Sequence, residues 1–258
     1  MRLPGSLAGS LIFLTDPVPL AHLLGRRFAP ALLLTAALAA VAQRLGAVTP
    51  QGAMAGASAS LLLFLGGGPG AFAGLTTVFL LTWISTRWVH ERKLRLGVAE
   101  KREGRSAGQV LANTTVAALL AAASPFAASS ELWLAGAAAA LAEAAADTVS
   151  SEFGQAAGGR TLLLTNLRAV TPGSNGGVSL AGTLAGLLAA GIVAATCAVF
   201  GVIPGPHAAA ATVAAMLGMF VDSFLGATAE PRGWITNNGV NLAGTLMAAG
   251  TAWVICDW

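Results

Sequence analysis

Residues 177–201 read GVSLAGTLAGLLAAGIVAATCAVFG, a run with no charged side chain and no alternation of apolar with polar positions. A helix of this length crosses a hydrocarbon core about 30 Å thick. A barrel strand would be shorter and would alternate. Further apolar runs lie near 28–44, 52–66, 70–88, 108–124, 131–151, 207–229 and 239–256. The run at 52–66 is short for a span and is compatible with a re-entrant piece. GGGPG at 66–70 and GVIPGP at 201–206 punctuate two of the turns. Only 10% of the 258 residues are charged and 55% are hydrophobic, whereas a soluble domain carries about 25% charged residues. The fold class that follows is all-α: a polytopic transmembrane helical bundle of about seven or eight helices, with no room for a soluble domain of useful size. Residues 1–27 are apolar but broken by Asp16, Pro17 and Pro19 and lack a convincing cleavage site. They are expected to form a retained surface or re-entrant segment, with 28–258 as a single transmembrane domain.

Orientation follows from residues 87–105, RWVHERKLRLGVAEKREGR. They hold seven Lys or Arg (Arg87, Arg92, Lys93, Arg95, Lys101, Arg102, Arg105) against three Glu. The positive-inside rule makes this loop cytoplasmic. Counting spans from it places 49–52, 152–176 and 230–238 on the same side. Arg26 and Arg27 then fall outside, and one span more or fewer near residues 5–24 would reverse that. The six Trp lie mostly near segment ends, as interfacial anchors do. Cys197 and Cys256 sit in apolar runs without CxxC spacing and read as packing residues. A net charge of +3 is mild and does not point to nucleic acid. The location expected is an integral, multi-pass protein of a bacterial-type inner membrane.

One phrase occurs twice. GVSLAGTL at 177–184 and GVNLAGTL at 239–246 differ at one position. The preceding helices end in AEAAADTVSSEFG (142–154) and FVDSFLGATAEPRG (220–233), each with Asp, then Ser or Thr, then Glu. This predicts a parallel internal repeat of helix pairs, about 131–200 and 207–258, with a site at the interface of the two units.

Ionisable residues inside membrane segments are functional candidates by default. Glu143, Asp147 and Ser150 share one helix face, and Glu152, Asp222 and Glu230 follow near cytoplasmic helix ends. Asp147 and Asp222, with Glu152 as a further candidate, could hold Mg²⁺, which takes one or two carboxylates and completes its shell with substrate phosphates and water. Gly173, Gly176 and Gly177 allow close backbone approach to a ligand. A helix N-terminus favours phosphate. Asn175, Ser179, Asn237, Asn238 and Asn241 add neutral polar groups, and the whole could cradle a polyphosphate. Capping and helix packing are the structural alternative. Lys101 and Arg105, followed by Gln109 and Asn113 at four-residue steps, put cations and amides at the start of a helix, where they could clamp phosphoryl oxygens. No GxxxxGK[ST] or HExxH occurs, and His22, His90 and His207 are scattered.

GRSAGQVLAN (104–113), ADTVSSE (146–152), LTNLRAVTPGSNGGVSLAG (164–182), VDSFLGA (221–227) and NNGVNLAG (237–244) together resemble an integral membrane family long labelled as of unknown function. That family includes the animal transmembrane protein 19 group and the plant phytyl-phosphate kinases of tocopherol synthesis. The resemblance runs from about residue 45 to the C-terminus. It implies phosphorylation of an isoprenoid or phytyl-type monophosphate to the diphosphate, with a nucleoside triphosphate, CTP, as donor. The partners implied are thus a membrane lipid and a nucleotide; the oligomeric state is not implied. The acidic segment departs from the family's DTWASE-like pattern at Val149 and Ser150, and leaves Asp147, Ser151 and Glu152 in place. Two other readings use similar parts: CTP-dependent nucleotidyl transfer to a lipid phosphate, and a small-solute transporter.

Overall fold

Residues 135–146 of α4 (Ser130–Ala157) are all buried. A helix that is apolar on every side belongs in the middle of a bundle, and α4 is mostly Ala and Gly there, which lets neighbouring backbones approach closely. In the computed structural model, which describes residues 17–96 and 104–257, five helices pack on α4: α2 (Pro50–Leu96), α3 (Ala107–Ala123), α5 (Leu180–Val199), α6 (Gly205–Thr228) and α7 (Asn237–Cys256). The remaining helix, α1 (Pro17–Arg44), packs chiefly on α2. All seven are long and apolar enough to cross a membrane. α1 starts at Pro17, so part of the segment expected to lie on the surface or re-enter is helical.

At 47 residues, α2 would be about 70 Å long if straight, more than twice the hydrocarbon thickness. It is instead folded back on itself at Gly68, whose φ of 72° and ψ of −168° are non-helical. The contacts show the reversal. Gly52 packs on Arg105 and Gly66 on Ala121, the two ends of α3, so the first limb runs alongside α3 in the same direction. The second limb follows α4: Gly67 meets Leu134, Gly74 meets Leu141, and Thr86 donates to Glu152 Oε1 at 3.2 Å. α3 and α4 are antiparallel, since Arg105 meets Thr148 and Leu120 lies by Gly136. The Phe64 and Phe72 rings meet across the corner, centroids 5.8 Å apart. The described chain therefore traverses the bundle eight times, and the runs at 52–66 and 70–88 are separate crossings.

Such a corner leaves carbonyls without helical partners, and Pro69 brings no N–H. Arg27 supplies the donors: its Nη1 donates to Leu65 O at 3.0 Å and Gly66 O at 3.1 Å. This gives Arg27 a reason to sit at the end of the bundle where the loop charges did not place a cation. Arg27→Ala is expected to cost about 2 kcal/mol, the scale of hydrogen bonds from a charged donor, read as a lower thermal midpoint in detergent. An Arg27→Ala midpoint equal to wild type would remove this capping role.

α4 and α6 run toward one end of the bundle and α5 and α7 run away from it. Gly186 lies against Ala146 and Ser150, and Gly218 against Gly244. The segment 152–176, expected to be a loop, is partly ordered otherwise. α4 continues to Ala157 and stops at Gly158, whose φ is 64°. There follow β1 (Thr161–Leu163), β2 (Ala169–Val170) and β3 (Gly177–Ser179), an antiparallel sheet in the order β2-β1-β3. Its register pairs Thr161 with Ser179 and Leu163 with Gly177. The repeated phrase consequently folds two ways. GVS of the first copy is strand β3, whereas GVN of the second lies inside α7. The helix pairs share direction, but their starts are not equivalent.

Candidate functional site

The N-terminus of α3 is anchored before it reaches the site. Ser106 and Gln109 form a reciprocal capping box: Gln109 N donates to Ser106 Oγ at 3.4 Å, and Ser106 N to Gln109 Oε1 at 2.9 Å. The residue before this cap, Arg105, is held through its backbone by the α1–α2 turn. Arg105 N donates to Ala47 O at 2.9 Å and Thr49 N to Arg105 O at 3.0 Å. With its main chain fixed, Arg105 extends toward α4 and its Nη2 donates to Thr148 Oγ1 at 3.1 Å. Burial pulls the guanidinium below its ordinary value, while Asp147 and then Glu152 push it back up.

Arg105 lines an open cavity of about 310 Å³ at the end of the bundle where α4 and α6 finish and α3, α5 and α7 begin. Asp147 and Glu152 reach it from α4, Asp222 from α6 and Glu230 from just beyond α6. With the Asn241 amide turned so that its nitrogen faces Asp222, it donates to Asp222 Oδ2 at 3.2 Å and to Asn237 O at 3.1 Å, and its oxygen accepts from Asn113 Nδ2 at 3.3 Å. Three helices (α3, α6 and α7) are thereby joined by one polar network around an acid. Asn113 is 6% exposed and its Oδ1 has no partner, an acceptor left open in the wall.

The remaining wall is loop. Gly173, Ser174, Asn175, Gly176 and Gly177 line the cavity beside α6. Gly173 has φ 91° and Gly176 φ 72°, values that favour glycine. Gly176 also lies hard against α6: a methyl there would overlap Ala227 Cβ and come within 2.7 Å of Ala227 N. The helix behind the loop, α5, is capped by Ser179, which accepts from Gly182 N at 3.1 Å.

One turn deeper in the bundle than Asp147 lies Glu143. It is 1% exposed and neither of its oxygens has a partner. Its space exists because two neighbours have no side chain: a methyl on Gly218 would lie 2.8 Å from Glu143 Cγ, and one on Gly244 would overlap Oε1. The second of the two repeated glycines, Gly244, is thus spent on admitting a carboxyl group. Gly182, its counterpart, packs on Ser150 O, 2.6 Å from where a methyl would sit.

The integral membrane protein DUF92 family matches residues 33–249, which includes every element that lines the cavity. This chain belongs to the DUF92 family. It is 32% identical over 183 residues to Protein VTE6, chloroplastic, of Arabidopsis thaliana, covering 68% of this chain and 55% of that protein. It is 37% identical over 171 residues to an uncharacterised membrane protein of Synechocystis, covering 65% and 66%. An uncharacterised membrane protein of Methanocaldococcus jannaschii is 32% identical over 110 residues, covering 42% and 44%. The chain therefore spans about half to two thirds of the length of the first two relatives. No solved structure matches it.

In this DUF92 member the cavity gathers Arg105, Asn113, Asp147, Ser151, Glu152, Gly173, Asn175, Gly176, Gly177, Ser179, Asp222, Asn237 and Asn241. Lys101 lies outside the described residues. Asn238 does not line the cavity; its amide packs on Gly108 at the start of α3. Asn175, Gly176 and Gly177 are not at a helix N-terminus, because pairing of β3 with β1 keeps the backbone extended until the Ser179 cap. Thr148, Gln155, Ser174 and Ser223 also line the cavity. Thr148 and Ser223 each follow an acidic candidate in sequence, which was the available signal; Gln155 and Ser174 carried none.

The donor set suits Mg²⁺. Four carboxylates line the cavity, and of these Asp147 on α4 and Asp222 on α6 come from different helices; among the described residues no group of three or more His, Cys, Asp or Glu could hold a metal by itself. Mg²⁺ binds in that incomplete manner, taking its other oxygens from phosphates and water.

Proposed function

We propose that this protein is a membrane enzyme that transfers the γ-phosphoryl group of a nucleoside triphosphate, CTP in our reading, to a prenyl- or phytyl-type monophosphate. The observation that carries the proposal is the meeting of carboxylates from two helices, a half-buried arginine and a glycine-rich loop in one polar cavity at the end of a membrane bundle. Similarity to the chloroplastic protein VTE6 and the motif resemblance to plant phytyl-phosphate kinases support it.

The chemistry asks little of the protein beyond positioning and charge neutralisation. A monophosphate oxygen of the lipid forms the new bond to the γ-phosphorus, the bond from that phosphorus to the bridging oxygen breaks, and the nucleoside diphosphate departs with the electron pair. A phosphate oxyanion is already a nucleophile at neutral pH, so the site needs no base to create one. What it must overcome is the approach of two anions. Arg105, anchored by the α1–α2 turn and Thr148, offers its remaining guanidinium donors to phosphoryl oxygens. Asn113, Asn237 and Asn241 orient neutral groups around Asp222. Gly173–Gly177 lets the backbone come close to the donor. Asp147 and Asp222, with Glu152 as a further candidate, would hold Mg²⁺, which would supply neutralisation of phosphate charge.

The site is assigned to the cytoplasmic side, where nucleotide is. Arg44, Arg87, Arg105, Arg160, Arg168 and Arg232 belong to that end of the described chain, against Arg26 and Arg27 at the other. Concentration of the polar residues at one end also speaks for an enzyme working at the membrane surface, since transporter sites lie near the midplane.

The test is turnover in detergent with Mg²⁺, γ-labelled CTP or ATP and a panel of prenyl monophosphates. Label in a prenyl diphosphate is expected. Label from the α-phosphate appearing in the lipid, with release of pyrophosphate, would replace the kinase with a nucleotidyltransferase. Neither label in any lipid, from folded protein, would overturn both.

A further inference from the structure

A second cavity shares a wall with the first. It has a volume of about 100 Å³ and lies between α1, the two limbs of α2, and α3. Arg105 and Asn113 line both cavities. Beyond them the character changes from polar to apolar: Leu38, Ala39, Gly56, Val78, Phe79 and Val110 are among the lining residues. The few hydroxyls in this wall are already satisfied within the protein. Thr35 and Ser60 bond each other at 2.8 Å, Thr82 donates to Phe79 O at 3.1 Å and Thr114 to Val110 O at 2.8 Å. Away from Arg105 and Asn113 the wall therefore presents mostly hydrocarbon to whatever occupies it. Its outer boundary is α1, the helix with the least packing, bound chiefly to α2.

We infer that this cavity receives the part of the lipid chain next to the phosphate, with Arg105 and Asn113 marking the junction between headgroup and tail. This rests on the lipid-phosphate reading above and adds a place for the substrate. The chain enters between α1 and the rest of the bundle, its first carbons lie against Gly56, Ala39 and Phe79, and its remainder stays in the bilayer. The phosphate lies on the polar side of Asn113, a residue of the shared wall. The occupant is argued from adjacency: an apolar slot that shares Arg105 and Asn113 with the polar cavity matches an amphiphile with its charge at one end.

Two measurements test it, both with the full-length protein in lipid nanodiscs. The first uses a prenyl monophosphate carrying a diazirine on its first isoprene unit. Photolabel is expected on peptides containing residues 53–60 and 75–82 and is competed by unlabelled prenyl monophosphate. The second uses size. Gly56→Leu is expected to raise KM for the lipid at least ~10-fold, and Gly56→Ala less, because that methyl would meet only Val110 Cγ1, at 3.7 Å. KM for the nucleotide should not move. Ala39→Leu fills the cavity from the opposite wall and serves if Gly56→Leu does not fold. Turnover with competed label elsewhere, with no competed label, or with lipid KM unchanged in both leucine variants would overturn the cavity assignment and leave the kinase reading standing. No turnover together with no competed label would overturn both.

Discussion

Asp222→Asn is expected to lower phosphoryl transfer by about 10²–10³-fold, the scale on which single charge-positioning groups act in transition states, without unfolding the protein. The substitution keeps the size of the side chain, and the replaced carboxyl lines an open cavity in place of filling the core. Its contact with Asn241 also survives, since an amide oxygen accepts from the same nitrogen. What disappears is the negative charge that would bind Mg²⁺ opposite Asp147. Asp147→Asn should behave alike, and the double variant should be little worse than either, because groups that act on one ion are not additive. Turnover at saturating and at limiting Mg²⁺ separates the possibilities. Full activity of either single variant at limiting Mg²⁺ would remove that residue from the metal site. Loss of folded protein by size-exclusion chromatography would instead make the acid structural.

Gly176→Ala attacks the loop wall through sterics alone. At φ 72° an L-residue is disfavoured by about 1–2 kcal/mol, and the added methyl would stand 2.7 Å from Ala227 N. The helix cannot yield there without disturbing the turn that carries Asp222 and Ser223, so the loop must lift instead. Overpacking of this kind costs about 1–3 kcal/mol. Displacing Asn175 and Gly177 from the cavity by even 1 Å can cost about 10²-fold in turnover. The expected result is a large fall in activity with helical content unchanged and faster proteolysis between residues 158 and 176. Wild-type turnover in Gly176→Ala would show that the loop does not contribute to the site.

The class of fold was legible because each apolar run carries its own signal. Twenty residues without a charge must be helical in lipid, wherever they are in the bundle. The corner of α2 was legible as well: GGGPG joins residues that allow a left-handed backbone to one that cannot donate a hydrogen bond, and the break falls at Gly68. Many residues of the candidate site could be chosen from sequence: carboxylates in membrane segments are costly unless used, which singled out Asp147 and Asp222, four-residue spacing after the basic loop picked out Arg105 and Asn113, and the repeated phrase picked out Asn241.

The partnerships among those residues were not legible. Asn113 on α3, Asn241 on α7 and Asp222 on α6 are far apart in the chain, and helices built of Ala and Gly show little contrast between their faces. Nothing in such a pattern states which turn of α3 meets which turn of α7. Arg27 could be seen only as a misplaced charge until the carbonyls of Leu65 and Gly66 stood next to it. Strands of two or three residues are too short to declare themselves, so residues 177–179 read as a helix start in sequence but form β3. Composition and local chemistry thus determined that the chain lies in a membrane, where it turns and which side chains need a purpose. Packing alone decided which of them meet, because the register of one small-residue helix on another is settled by close contact along its whole length.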